Sequence, residues 1–169
     1  MKKIIKLNYI LMAIIIVLLV AILIVLIMKN KALTPDYAPG TIDVNAIKSP
    51  DDGKKMEKSK GGGAVSLSYS NVVNVNLSKK IVQMYFKNPS KSTQAMIIQI
   101  ILKSGDKEYI IGQTDRLPSG YAIYKVDYLD PVSLKKGGYD GKFNILYYDE
   151  ETDEKAIVNT NIPIKIEVE

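Results

Sequence analysis

The chain has 169 residues, a formal net charge of +5, and no Cys, His or Trp. Without Cys and His there is no disulfide framework, no ligand set for the usual zinc, haem or iron–sulfur sites, and no Ser–His or Cys–His nucleophile pair. The charge is unevenly placed: residues 1–60 hold ten Lys against five acids, whereas residues 61–169 hold twelve Lys and Arg116 against thirteen acids, so the larger part is neutral and a poor phosphate reader, and no nucleic-acid partner is expected.

Residues 1–9 carry Lys2, Lys3 and Lys6. The nineteen residues Ile10–Met28 that follow contain no charge, Gly, Pro, hydroxyl or amide side chain, and fifteen are Ile, Leu or Val. At about 1.5 Å per residue such a helix spans roughly the 30 Å hydrocarbon core of a bilayer, and no polar face is left to meet water. The sequence therefore predicts a transmembrane helix over Ile10–Met28, with the lipid bilayer as its partner. Three Lys before the run against Lys29 and Lys31 after it favour a cytoplasmic N-terminus. The apolar run is longer than a signal-peptide core and no A-x-A pattern follows it, so an uncleaved signal-anchor is expected. That places the chain in the cell membrane, single-pass, with its C-terminal part outside the cytoplasm.

Residues 29–63 read as a flexible juxtamembrane linker. Pro35-Asp36-Tyr37-Ala38-Pro39-Gly40 is an extended piece closing in a turn, Ser49-Pro50-Asp51-Asp52-Gly53 is a second turn, and Gly61-Gly62-Gly63 is a swivel. The Lys-rich stretch Lys48–Lys60 suits either lipid headgroups or a solvated spacer. Asp51, Asp52 and Glu57 interrupt it, which favours the spacer.

From Ala64 the hydrophobic period becomes two. Val65, Leu67 and Tyr69 alternate with small polar residues, and Val73, Val75 and Leu77 follow. Val82, Met84 and Phe86 form one face before the turn Asn88-Pro89-Ser90. Met96, Ile98, Ile100 and Leu102 run to the stop Ser104-Gly105-Asp106, and Glu108–Thr114 is a shorter strand. After the turn Leu117-Pro118-Ser119-Gly120, the residues Ala122, Tyr124, Val126 and Tyr128 face inward. Tyr139, Phe143, Ile145 and Tyr147 form the next inward face, Asp149–Glu154 is a hairpin loop, and Ile162, Ile164, Ile166 and Val168 close the chain. Pro163 at an outward position marks an edge or a bulge. Seven or eight strands at such intervals predict a mainly β domain over residues 64–169, an antiparallel β-sandwich.

Three short motifs sharpen that reading: Phe86-Lys87-Asn88-Pro89 with Ser92, then Leu117-Pro118-Ser119-Gly120, then Leu134-Lys135-Lys136-Gly137-Gly138-Tyr139. Together they resemble bacterial immunoglobulin-like or fibronectin-like sandwich domains, with Tyr139 similar to a tyrosine corner. With the anchor and Tyr37-Ala38-Pro39-Gly40, the whole chain resembles small single-pass surface proteins of Gram-positive bacteria. The resemblance implies a non-catalytic adhesion, pilus-associated or assembly accessory with no cofactor and an extracytoplasmic protein partner. Some such domains carry a Lys–Asn isopeptide bond, for which Lys79, Lys80, Asn159 and Asn161 supply the residue types.

Rival readings are a carbohydrate-binding module, which the eleven Tyr would serve by stacking, and a hydrolase using Asp or Glu. Most Tyr fall at inward parity, and nothing in the pattern converges two carboxylates. The acidic run Asp149–Glu154 offers carboxylates for Ca²⁺ but lacks the D-x-D-x-D-G spacing, so a solvated hairpin tip is expected. One feature points to a partner. Ile97 and Ile101, with Leu146 and Tyr148, are apolar at outward parity on two strands expected to be neighbours, with Lys103, Lys142 and Asn144 as a polar rim. Such a face suits partner docking, or a loop or flanking side chains that cover it.

Overall fold

Alternation of apolar and polar residues requires two sheet faces, and the computed structural model, which describes Met12 and residues 14–22, 34–51, 53–58 and 62–169, has them. The strands are β1 (Ala46–Lys48), β2 (Ser68–Tyr69), β3 (Val72–Asn76), β4 (Ile81–Asn88), β5 (Gln94–Ser104), β6 (Lys107–Gln113), β7 (Tyr121–Asp127), β8 (Gly137–Asp149) and β9 (Lys155–Val168). They form one curled sheet in the order β1-β7-β4-β3-β9-β8-β5-β6, with β2 beside β4. All pairs are antiparallel except β3–β9. The curl brings β7, β4 and β3 over β9, β8 and β5. Taken strand by strand, this is the immunoglobulin-type arrangement, two faced layers joined by the first core strand running parallel to the last.

The core lies between the layers. Val73, Val75, Val82, Phe86, Met96, Ile98, Ile100, Leu102, Phe143, Ile145 and Ile166 are fully buried there, all at the parity the sequence assigns inward. Phe86 of β4 meets Phe143 of β8 edge-on at 5.5 Å across the layers. One seam of the curl is sealed where Gly112 comes close to β7, since a Cβ there would lie 2.8 Å from the Val126 side chain. Gly105, at φ 61°, makes the β5–β6 turn that a β-branched residue would strain. Tyr139 behaves as a corner: its hydroxyl donates to the Lys135 carbonyl at 3.0 Å and accepts from the Lys135 amide at 3.3 Å.

Two expectations need correction. The alternation places Tyr124 on the inward face with Ala122, Val126 and Tyr128, but it is 51% exposed and Ile123 is buried instead. The register of β4 against β7 shifts between Gln83 and Phe86, and one extra residue in a ladder moves the following side chains to the other face. The second correction concerns residues 29–63. The described part from Pro35 onward is not a free linker but belongs to the same compact unit as the sandwich, Pro35–Glu169. β1 pairs along the outer edge of β7, where an immunoglobulin-type sheet ordinarily carries a strand from the middle of the sequence. Further along, the Ser49 amide donates to the Gly120 carbonyl at 2.8 Å, and the Met56 amide to the Lys91 carbonyl at 2.8 Å.

The unit Met1–Thr34 is separate. Of the expected span Ile10–Met28, Met12 and residues 14–22 are described, and they are helical. Among the described residues no helix is long and apolar enough to cross a membrane. The rest of that span, residues 1–9, Lys29, Lys31 and Gly61 lie outside the described residues.

Candidate functional site

The structure brings the four expected docking residues onto one face. β5 and β8 are neighbours, with Ile97 opposite Leu146, Ala95 opposite Tyr148 and Ile101 opposite Lys142. All lie on the side away from the core. The face, however, is closed. Ile97, Leu146 and Tyr148 are fully buried and Ile101 is 9% exposed. Ala38 joins Ala95, Ile97, Leu146 and Tyr148 in a second, smaller apolar cluster. The Tyr148 hydroxyl donates to the Pro35 carbonyl at 2.9 Å. The Ala38 amide donates to the Asp153 carbonyl at 2.7 Å, and the Lys155 amide to the Asp36 carbonyl at 2.9 Å. The chain's own residues 35–38 therefore lie where an external partner was expected. Burial, with the Asp36 carboxylate nearby, pushes the Tyr148 phenol up to about 12. Two of the three expected rim residues are engaged within the chain: Lys142 pairs with Glu108 at 2.7 Å, and the Asn144 amide donates to Gln99 Oε1 at 2.7 Å.

The acidic hairpin Asp149–Glu154 is a docking point for the N-terminal segment. Lys55 meets Glu150 at 2.6 Å, Lys58 lies 3.1 Å from Asp149 and 3.3 Å from Glu151, and Arg116 meets Asp153 at 2.6 Å. Among the described residues no group of three or more His, Cys, Asp or Glu is arranged to hold a metal ion. The Asp149 carboxyl is held below the usual carboxylate range, first by the Glu151 amide and then by Lys58 and the Thr152 amide. Burial pushes the Glu150 carboxyl up, but Lys55 and Ser119 outweigh it and leave it lowered. Two lysines of the basic stretch thus contact protein carboxylates, a use the spacing alone does not reveal. Lys79 and Lys80 sit exposed in the turn after β3, and Asn159 and Asn161 are exposed on β9. Tyr85 and Tyr124, outward on the other layer, pack on each other with ring centroids 5.4 Å apart.

What remains open is the second seam. β9 pairs with β3 only from Lys165 to Val168, because β3 starts at Val72. Before that point the preceding chain leaves β9 and turns to β4: Tyr69 pairs with Phe86, and residue 64 is held by Thr93, whose amide donates to the Ala64 carbonyl at 2.9 Å. The stretch of β9 from Ala156 to Ile162 consequently has no strand on its outer edge among the described residues. Ile157 is fully exposed and Val158 is 69% exposed, because the β8–β9 register shifts here, with Asn159 opposite Leu146 but Lys155 opposite Tyr148. Beside this edge lies a cavity of about 900 Å³, lined among others by Gly63, Val65, Gln94, Tyr147 and Thr160. Tyr69 closes the seam's lower end, stacked on Phe86 at 6.1 Å and edge-on to Phe143 at 6.3 Å. Sequence reasoning missed this site. Its signal was the run Ala156–Ile164, which has no charged residue and is rich in β-branched side chains.

No family model matches the sequence, and no curated protein matches it. Among solved structures, the chain is similar to the major subunit of aggregative adherence fimbriae type I from Escherichia coli, at 11% identity and a TM-score of 0.35 over 68% of this chain and 100% of that one. It is similar to the YadV chaperone at 19% identity and a TM-score of 0.38, over 62% of this chain and 50% of that one. The periplasmic chaperone SfaE matches at 13% identity and a TM-score of 0.37, over 62% of this chain and 56% of that one.

Proposed function

We propose that this chain is a membrane-anchored, extracytoplasmic, immunoglobulin-like module that binds protein, or helps assemble a surface structure, without catalysing a reaction. The observation that carries this is the outer edge of β9 from Ala156 to Ile162, which has no partner strand among the described residues, with Ile157 and Val158 exposed beside a cavity. Free backbone N–H and C=O groups along an edge are a template for a further strand, and the flanking apolar groove gives such a strand somewhere to place alternate side chains. The anchor rests on the apolar run Ile10–Met28, and the outward orientation on Lys2, Lys3 and Lys6. Asp149, Glu150, Glu151 and Asp153 of the hairpin are taken up by Lys58, Lys55 and Arg116, which speaks against the hydrolase reading.

A photo-crosslinking residue at Ile157 in the full chain, irradiated in intact membranes, should yield a discrete protein adduct. The same residue at Tyr124, on the other layer, should not. Equal labelling at both positions, or none at Ile157, overturns the reading. Protease added to intact cells should remove the domain, and its survival until the cells are broken would overturn the orientation.

A further inference from the structure

We infer that the occupant of the open β9 edge is the same edge of a second copy of this chain, paired antiparallel about a two-fold axis at Thr160. The inference rests on the protein-binding reading above and names its partner.

The direction of the backbone groups is fixed by the paired half of β9. The Lys165 amide donates to the Asn71 carbonyl at 2.8 Å and the Glu169 amide to the Val75 carbonyl at 2.9 Å, so odd-numbered amides point away from β8. Strand alternation carries this back to Pro163, Asn161 and Asn159. Pro163 has no N–H, and sits at the one parity where a β9 residue can lack it without breaking the β8 ladder. The usable edge therefore lies between Pro163 on one side and the register shift at Lys155–Asn159 on the other. Its regular part is Asn159-Thr160-Asn161.

That part is self-matching. A two-fold axis at Thr160 sets Asn159 of each copy opposite Asn161 of the other, and Thr160 opposite Thr160. The two Asn pairs have outward backbone groups and can exchange both N–H···O bonds. Thr160 is then the closer, non-hydrogen-bonded pair. A side-chain amide carries both donors and an acceptor, so two Asn facing each other satisfy one another. Thr–Thr is a favourable cross-strand pair. Within the edge itself no charge opposes the pairing, since Ala156–Ile164 contains no ionisable residue; of the flanking lysines, Lys165 is paired with Asp140 and sits where β9 already meets β3, and Lys155 lies at the register shift. The other edges are defended in the ordinary ways: β6 opens with Lys107-Glu108, and β1 is three residues long.

The absence of Cys makes the test direct. Thr160→Cys in the full chain, oxidised in membranes, should give a disulfide-linked dimer, because a non-hydrogen-bonded antiparallel pair brings Cα atoms to about 4.5 Å, within reach of a disulfide. Tyr124→Cys should remain monomeric. Adding Asn159→Lys and Asn161→Lys to Thr160→Cys sets Lys against Lys in both pairs and should abolish the dimer. Both positions are exposed, so the fold is kept, which circular dichroism checks. Co-expressing that variant with one carrying Asn159→Asp, Asn161→Asp and Thr160→Cys should restore the crosslink as a heterodimer. A lysine variant that crosslinks as well as its parent, or a mixture that fails to recover, overturns the pairing. If Thr160→Cys stays monomeric while the Ile157 photo-adduct is a different protein, self-pairing falls and the protein-binding reading stands. If both fail, both fall.

Discussion

Replacing Leu146 by Ala tests whether the outer face of β5 and β8 is interior or surface. Leu146 is fully buried, opposite Ile97 and in one cluster with Ala38 and Tyr148. The substitution deletes three carbon groups. At about 0.8 kcal/mol per group the transfer term is roughly 2.4 kcal/mol. The cavity left behind adds to it, which brings the expected loss to about 3 kcal/mol, inside the range for buried Leu→Ala. Were residues 35–38 not seated on the face, Leu146 would be a surface residue and the change would fall within about 0.5 kcal/mol. The assay is urea unfolding of residues 35–169, followed by circular dichroism. The midpoint should drop with the slope unchanged, because the surface exposed on unfolding is nearly the same. A loss below about 0.5 kcal/mol would refute the seating.

Phe86→Ala and Phe143→Ala should each cost about 3–5 kcal/mol, and a double-mutant cycle should return a coupling of about 1 kcal/mol for the edge-on pair; additive losses would mean that the rings do not meet. Spectrophotometric titration should find one tyrosine ionising near 12, lost in Tyr148→Phe. Because that folded value is raised, the stability it brings is complete below the unfolded value of about 10 and is lost as pH rises from there through the folded value. Asp149 has the opposite sign. Its lowered value means a contribution present above about pH 3.9 and lost as pH falls through the folded value, so Asp149→Asn should flatten the acid limb of the stability curve, and an unchanged limb would discount the Lys58 and amide contacts. Arg116→Met should weaken attachment of the hairpin, read as faster proteolysis between Asp149 and Lys155; unchanged cleavage would mean that the Asp153 contact holds nothing in place.

The strands were legible because each turns one face to a common interior, and a period of two survives in the residue order. Met96, Ile98, Ile100 and Leu102, or Ile162, Ile164, Ile166 and Val168, name their own parity. The reading failed at Tyr124 because a bulge is a single inserted residue in the partner strand β4, and no pattern within β7 announces it. It failed more widely over Pro35–Lys58. β1 is three residues long, too short for any period, and its partner is Ile123, far along the chain. Lys55 and Lys58 meet acids more than ninety residues away. Composition reads such a stretch as a spacer, because Pro, Gly and Lys do describe a chain with no structure of its own.

Two anomalies in the sequence in fact explain each other. An apolar face outside the core asks what covers it, and an upstream segment with too few apolar residues for a core asks what it leans on. Ala38 contributes little area by itself, but residues 35–38 are pinned at both sides by backbone hydrogen bonds to Asp153 and Lys155. The outward side chains Ile97, Leu146 and Tyr148 thus find cover without a second protein. The same reasoning separates this face from the β9 edge. At the face, the polar groups of the covering segment are satisfied within the chain. At the edge, Asn159 and Asn161 direct backbone donors and acceptors away from β8, and the neighbouring chain has already turned to β4 through Tyr69 and Phe86. An apolar face can be covered by almost any segment, whereas an unpaired ladder accepts only another strand, and that is why the edge rather than the face is where a partner is sought.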